Sequence, residues 1–220
     1  HRQMCIRDRN NIPLVLVDRE MPECQTNFVR CDDYQGGYIA GKHLLELGHR
    51  HFLYLPGPKY NLSQTRRYAG IMDALSEANV PASNIREIDY HTVFGSSAES
   101  TSSYKPYEEL FFPVNYTAVI GFNDLQSYSA MEILQKKGYR IPEDISLISF
   151  DHLRKTHTYL PPLTSIADNS EKSIADTAVS ILLDKIRNPS SEISSEVLPV
   201  SIFDDHTTGP INETFAHSFE

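Results

Sequence analysis

The stretch Arg140–His152, R-I-P-E-D-I-S-L-I-S-F-D-H, constrains the fold of this chain more than any other. Ile145–Phe150 is mostly apolar and alternates little, the pattern of a strand buried on both faces of a parallel sheet. A parallel sheet needs long, usually helical crossovers, and its ligands bind in the crevice outside the carboxyl ends of the strands. This strand runs straight into Asp151. The carboxylate has two readings: a ligand contact at that edge, or a cap on the following turn.

The rest of the chain repeats the design. Ile12–Val17 is a short apolar run that again ends in a carboxylate, Asp18. From Gly36 the period changes, with Ala40, His43, Leu44 and Leu47 at helical spacing and Gly48 as the stop. His43 on the inner face of that helix reads as a packed histidine. Phe52–Leu55 is the next strand, cut by Pro56-Gly57-Pro58, and Tyr68, Ile71, Met72 and Leu75 form the next helical stripe. Ile85–Tyr90 is a weaker strand. A serine-rich, polar loop spans Gly95–Ser103, and Tyr104–Phe112 is a short helix broken by Pro106. Ala118–Phe122 is predicted as a strand and Asp124–Lys137 as a helix. After Asp151, Leu163–Ile166 is a strand, Ser170 is predicted to cap a helix whose Ile174, Ala178, Ile181 and Leu182 face inward, and Val197–Phe203 is a last strand. Alternating β and α with right-handed crossovers gives an α/β chain with parallel sheets covered by helices.

Composition excludes several classes. The chain has 220 residues, 40% of them hydrophobic, enough for one large or two modest domains. No apolar run reaches the roughly 18 residues needed to span a membrane. Residues 1–9 have no apolar period or signal-peptide core and read as a leader outside the fold, so the expected location is cytoplasmic. Cys5, Cys24 and Cys31 lack zinc spacing and read as reduced thiols. A net charge of −9 with no basic stripe predicts that the chain by itself does not hold DNA.

Asp18, Arg67, Asn123 and Asp151 stand at strand ends or in adjoining loops. Carboxylate and amide oxygens accept from hydroxyls and a guanidinium donates in a planar fork, a set suited to a neutral sugar or nucleoside. Tyr90 is the best aromatic wall, with Tyr60 behind it. Each polar member also has a structural reading: Asn123 or Asp124 as a helix cap, Arg67 as a surface helix charge, Asp18 as a turn former. As solvated residues, Arg67 and Asp151 are expected to add little stability without ligand. Gly36-Gly37 opens a helix either to hold a phosphate or to let another helix approach closely. No nucleophile elbow, Walker loop, dinucleotide fingerprint or H-E-x-x-H is present, which points away from an enzyme, and no cofactor or metal is called for.

The ordered blocks D-D-Y-Q-G-G-Y-I-A-G-K-H-L-L-E-L-G-H-R-H-F-L-Y-L-P-G-P (Asp32–Pro58), R-Y-A-G with Arg67, G-F-N-D, I-P-E-D-I-S-L-I-S-F-D and P-P-L-T-S-I resemble the effector-binding core of the lactose-repressor/galactose-repressor (LacI/GalR) family, from about Ile12 to Thr208. The resemblance implies a periplasmic-binding-protein-like type I fold: two Rossmann-like subdomains, the N-terminal one incomplete here (10–30 and 168–199), the other spanning 31–167 and 200–208, with a tail at 209–220. The chain would cross between them near Cys31, Asp168 and Val200, and Ile12–Val17 would lie at an open sheet edge. Asp18, Arg67, Asn123 and Asp151 match effector-contacting positions, and Tyr90 matches an aromatic stacking position. The implied partners are a small, sugar-like effector, a second copy in a homodimer, and operator DNA held through a helix-turn-helix that is not in this chain. His152 departs from the family, which often has a second aspartate there, as does Asp204-Asp205, where the family has an arginine. A periplasmic solute receptor feeding a transporter is the alternative with the same fold.

Overall fold

The computed structural model describes residues 12–21, 26–88 and 107–216. The leader 1–9, Cys5, Cys24, Tyr90 and the serine-rich stretch 95–103 lie outside them. The chain divides into two compact units, one of residues 1–32 and 168–200, the other of 33–167 and 201–220.

The smaller unit holds a three-stranded parallel sheet in the order β1 (Val15–Val17), β2 (Asn27–Cys31), β8 (Ser195–Leu198), so β1 is an edge strand. Helix α4 (Ile174–Arg187) packs Ile174, Ala178 and Ile181 against Val15, Val29 and Leu198. β1 is shorter than the sequence suggests, starting after Pro13, which has no N–H for a ladder. β2 was not anticipated. Its N-F-V-R-C mixes polar and apolar residues, and its place depends on Asn27, whose Nδ2 donates to Leu14 O (3.0 Å) while Oδ1 accepts from Ser194 N (2.8 Å). The cap of α4 is Ser173, accepting from Asp176 N, and not Ser170, whose N–H and hydroxyl are instead turned to Asp168.

The larger unit is a six-stranded sheet in the order β4-β3-β5-β6-β7-β9: β3 (Phe52–Leu55), β4 (Ile85–Glu87), β5 (Ala118–Gly121), β6 (Ser146–Phe150), β7 (Thr164–Asp168) and β9 (Val200–Phe203). Every pairing from β4 through β7 is parallel. β3, β5 and β6 are buried along their whole length, as mostly apolar strands covered on both faces are, with Ser146 and Ser149 of β6 buried among them. The expected single strand Val197–Phe203 is two strands in two sheets, divided at Pro199. Of the expected helix Tyr104–Phe112, the described residues form a 3-10 helix over Tyr107–Phe111, and residues 104–106 lie outside them.

Helices α1 (Asp33–Glu46), α2 (Leu62–Glu77) and α3 (Asp124–Lys136) cover this sheet. α1 and α2 touch backbone to backbone. A Cβ on Gly37 would fall 2.0 Å from the Arg67 carbonyl oxygen, and one on Gly70 2.0 Å from that of Tyr34. Gly37 therefore serves helix packing, and the approach brings the start of α1 beside Arg67. Gly37→Ala should force the helices apart at a cost on the order of 1–3 kcal/mol. A denaturant melt with an unchanged midpoint would contradict this.

Candidate functional site

Strand order reverses between β3 and β5, since β4 lies on one side of β3 and the later strands on the other. Such a switch point opens a crevice at the carboxyl ends. Arg67 projects there from α2, Asn123 follows β5, and Asp151 follows β6.

Arg67 is 5% exposed, which corrects its reading as a solvated residue. Its Nε donates to Asp33 Oδ1 (2.8 Å), Nη1 donates to the Phe122 carbonyl (2.5 Å), and Nη2 lies 3.5 Å from Asp151 Oδ1. The guanidinium carbon also lies 4.9 Å from the centroid of the Phe122 ring and 4.5 Å from that of Phe150. A flat, delocalised cation suits that setting, because it can donate at its edge while its face packs against aromatic rings. Asp33 is 2% exposed, and its Oδ2 is buried with no hydrogen-bond partner among the described residues.

Asn123 caps α3, its Oδ1 accepting from Gln126 N at 3.0 Å, as its structural reading held. The cap uses only the amide oxygen and does not engage the NH2 donors. Asp151 is the exposed member, its side chain 39% accessible, with φ 99. The structure thus gathers Arg67, Asn123 and Asp151 at one edge. Asp18 belongs to the smaller unit, where it ends β1 with φ 55 and donates its N–H to Val29 O at 2.8 Å. Tyr60 is 83% exposed, and Tyr90 is outside the described residues.

Sequence reasoning missed Asp33, Phe122 and Phe150. The signal for the phenylalanines is visible in retrospect: each directly precedes a polar strand-end residue, in F-N-D and F-D-H. Asp33 opens a helix in D-D-Y-Q-G-G, where an aspartate reads simply as a helix-start charge. With one guanidinium between two carboxylates, the edge carries excess negative charge and suits hydroxyl donors better than anions. Among the described residues, no three His, Cys, Asp or Glu side chains are placed to hold a metal, and no helix is long and apolar enough to cross a membrane.

A parallel sheet with polar side chains gathered at its switch point defines a small-molecule-binding module. Residues 42–208 match the periplasmic binding protein-like domain. The chain is 34% identical over 199 residues to the HTH-type transcriptional repressor PurR of Escherichia coli O139:H28 (strain E24377A / ETEC), covering 88% of this chain and 56% of that protein. It is 32% identical over 176 residues to PurR of Mannheimia succiniciproducens, covering 80% and 51%. Among solved structures, a LacI family transcriptional regulator from Enterococcus faecium with bound ribose superposes with a TM-score of 0.75 at 25% identity, over 94% of this chain and 74% of that one. The chain belongs to the periplasmic-binding-protein-like domain family, as an effector-binding domain of the LacI type. It spans about half the length of the curated relatives it matches.

Proposed function

We propose that this chain is the effector-sensing core of a cytoplasmic, DNA-binding transcriptional repressor that acts as a homodimer and performs no catalysis. A small, neutral, hydroxylated molecule, a sugar or a nucleoside, binds at the carboxyl edge of the six-stranded sheet. Binding shifts the population of DNA-binding geometries in the dimer, and operator DNA is held by a helix-turn-helix outside this chain. No cofactor takes part. The observation that carries this reading is the buried Arg67, fixed by Asp33 and Phe122 with its remaining edge at the exposed Asp151 carboxylate. A pre-organised donor beside an exposed acceptor is what a ligand hydroxyl needs in order to donate and accept at once. Asn123 supplies a further donor, and the family resemblance adds Asp18 and Tyr90. The repressor relatives favour this reading over a transport receptor.

The test is a thermal-shift screen of sugars and nucleosides on the full-length protein, beginning with D-ribose, followed by Asp151→Ala. A ligand raises the melting point by mass action. Losing a hydrogen bond to a charged group, worth about 1.5–3 kcal/mol, should weaken binding by about tenfold or more. Alanine is strained at a φ of 99 and loses the Arg67 contact, so ligand-free stability should fall by on the order of 1 kcal/mol, and the readout is the ligand-induced shift rather than the melting point itself. A variant that keeps the full ligand-induced shift would remove Asp151 from the site.

A further inference from the structure

Asp151 and His152 are consecutive non-glycine residues at φ 99 and φ 50, a conformation that side-chain-bearing residues hold only when their surroundings enforce it. Three successive N–H groups are tied down there. Asp151 N donates to Ile166 O (3.0 Å), His152 N to Ser165 Oγ (3.0 Å) and Leu153 N to Asp124 Oδ2 (2.7 Å). The Ser165 hydroxyl in turn donates to Asp124 Oδ1 (2.9 Å). Both oxygens of one carboxylate therefore hold this turn, one directly and one through Ser165. Asp124 is 1% exposed. It is the first residue of α3, yet the capping of that helix is done by its neighbour Asn123.

We propose that Asp124, acting through Ser165 and the Leu153 N–H, is a positioning residue that fixes the left-handed turn at Asp151-His152 and so aims the Asp151 carboxylate toward Arg67 and the ligand. This rests on the proposed role of Asp151. Burial pushes the Asp124 carboxyl above its usual range, against the bonds from Leu153, Ser149 and Ser165 that favour the charged form. A buried carboxylate that serves only as a helix-end charge has no need of acceptor bonds to a distant turn. The His152 ring, stacked on Phe203 at 4.4 Å, anchors the turn from its other side, so loss of the clamp loosens the segment without unfolding it.

The experiment is hydrogen–deuterium exchange by mass spectrometry on the ligand-free full-length protein and its Asp124→Ala, Asp124→Asn and Ser165→Ala variants. Exchange at 151–156 should quicken by about tenfold or more in Asp124→Ala and Ser165→Ala. It should stay near wild type in Asp124→Asn, because the asparagine oxygen still accepts from Leu153 while its NH2 donates to a rotated Ser165 hydroxyl. Unchanged exchange at 151–156 in Asp124→Ala overturns the proposal, as does faster exchange confined to the first turn of α3. The same variants are then titrated with D-ribose and with any sugar or nucleoside that stabilises the wild type. A loosened turn with unchanged affinity leaves the clamp standing and sinks the ligand role of Asp151; if nothing binds the wild type, that role falls and the clamp is judged by exchange alone.

Discussion

Replacing Arg67 with alanine should lower the stability of the larger unit by about 3–5 kcal/mol, the range for breaking a buried ion pair from one side. The loss comes from what is left behind. Asp33 is 2% exposed, and its Oδ1 takes the Arg67 Nε bond while Oδ2 is already buried and without a partner among the described residues. Without the guanidinium, the buried Asp33 carboxylate loses its Arg67 partner, and the Phe122 carbonyl loses the Arg67 donor. A melting point lower by about 10 °C is expected for a chain of this size. Arg67→Lys should recover little, since an ammonium cannot donate in a planar fork to Asp33 and the Phe122 carbonyl while packing against the Phe122 and Phe150 rings. The diagnostic comparison is Arg67→Ala with Asp33→Ala in one molecule. Removing both charges should be less damaging than the sum of the single losses, by a coupling of about 1 kcal/mol or more. Additive losses would mean that Asp33 is not held by Arg67. Arg67 thus differs from Asp151: the first is buried and holds Asp33, the second is exposed, so of the two proposed contacts Asp151 better separates binding from stability.

That division was not legible in the sequence, although much around it was. Phe52–Leu55, Ala118–Gly121 and Ser146–Phe150 show as mostly apolar runs because a strand buried on both faces admits few polar residues, Ser146 and Ser149 being the exceptions in the last. The glycines after α1 and α3, Gly48 and Gly138, mark helix ends because they take φ 93 and 90. Strand β2 was missed because its register is set by Asn27 reaching both Leu14 and Ser194, the latter 167 residues away. Arg67 is placed by Asp33 and Phe122, 34 and 55 residues distant, and no local pattern announces either contact. Candidate positions were visible through strand-end logic and the ordered blocks. Their burial, which separates the buried Arg67 from the exposed Asp151, exists only once α1, α2 and β5 are packed together.

Acid should act on the same unit from the opposite end of its sheet, through His49. The ring is 2% exposed, with Nδ1 2.9 Å from Thr117 Oγ1 and Nε2 2.9 Å from Ser146 Oγ and 3.0 Å from the Gly209 carbonyl. A carbonyl only accepts, so Nε2 carries the proton and Nδ1 accepts from the Thr117 hydroxyl. Burial pushes the pKa down from 6.5 to about 4, helped by His43 and Arg50 and opposed by the Gly209 bond. The unfolded chain takes up a proton as pH falls through 6.5, while the folded chain does not until about 4. The contribution of His49 is therefore full above pH 6.5 and is lost progressively on acidification, about 3 kcal/mol being gone once the pH is below 4. His43, half-buried against Thr208 with its pKa also lowered by burial, adds in the same direction. Equilibrium denaturation at a series of pH values should show this slope, and His49→Gln, which keeps a donor and an acceptor but does not titrate, should flatten it while lowering stability at neutral pH. The first contact to loosen should be the segment Thr207–Ile211, which His49 and Ser146 hold at Gly209 and Leu47 holds at Ile211. An unchanged pH slope in His49→Gln would assign the acid lability to carboxylates and leave His49 a packing residue only.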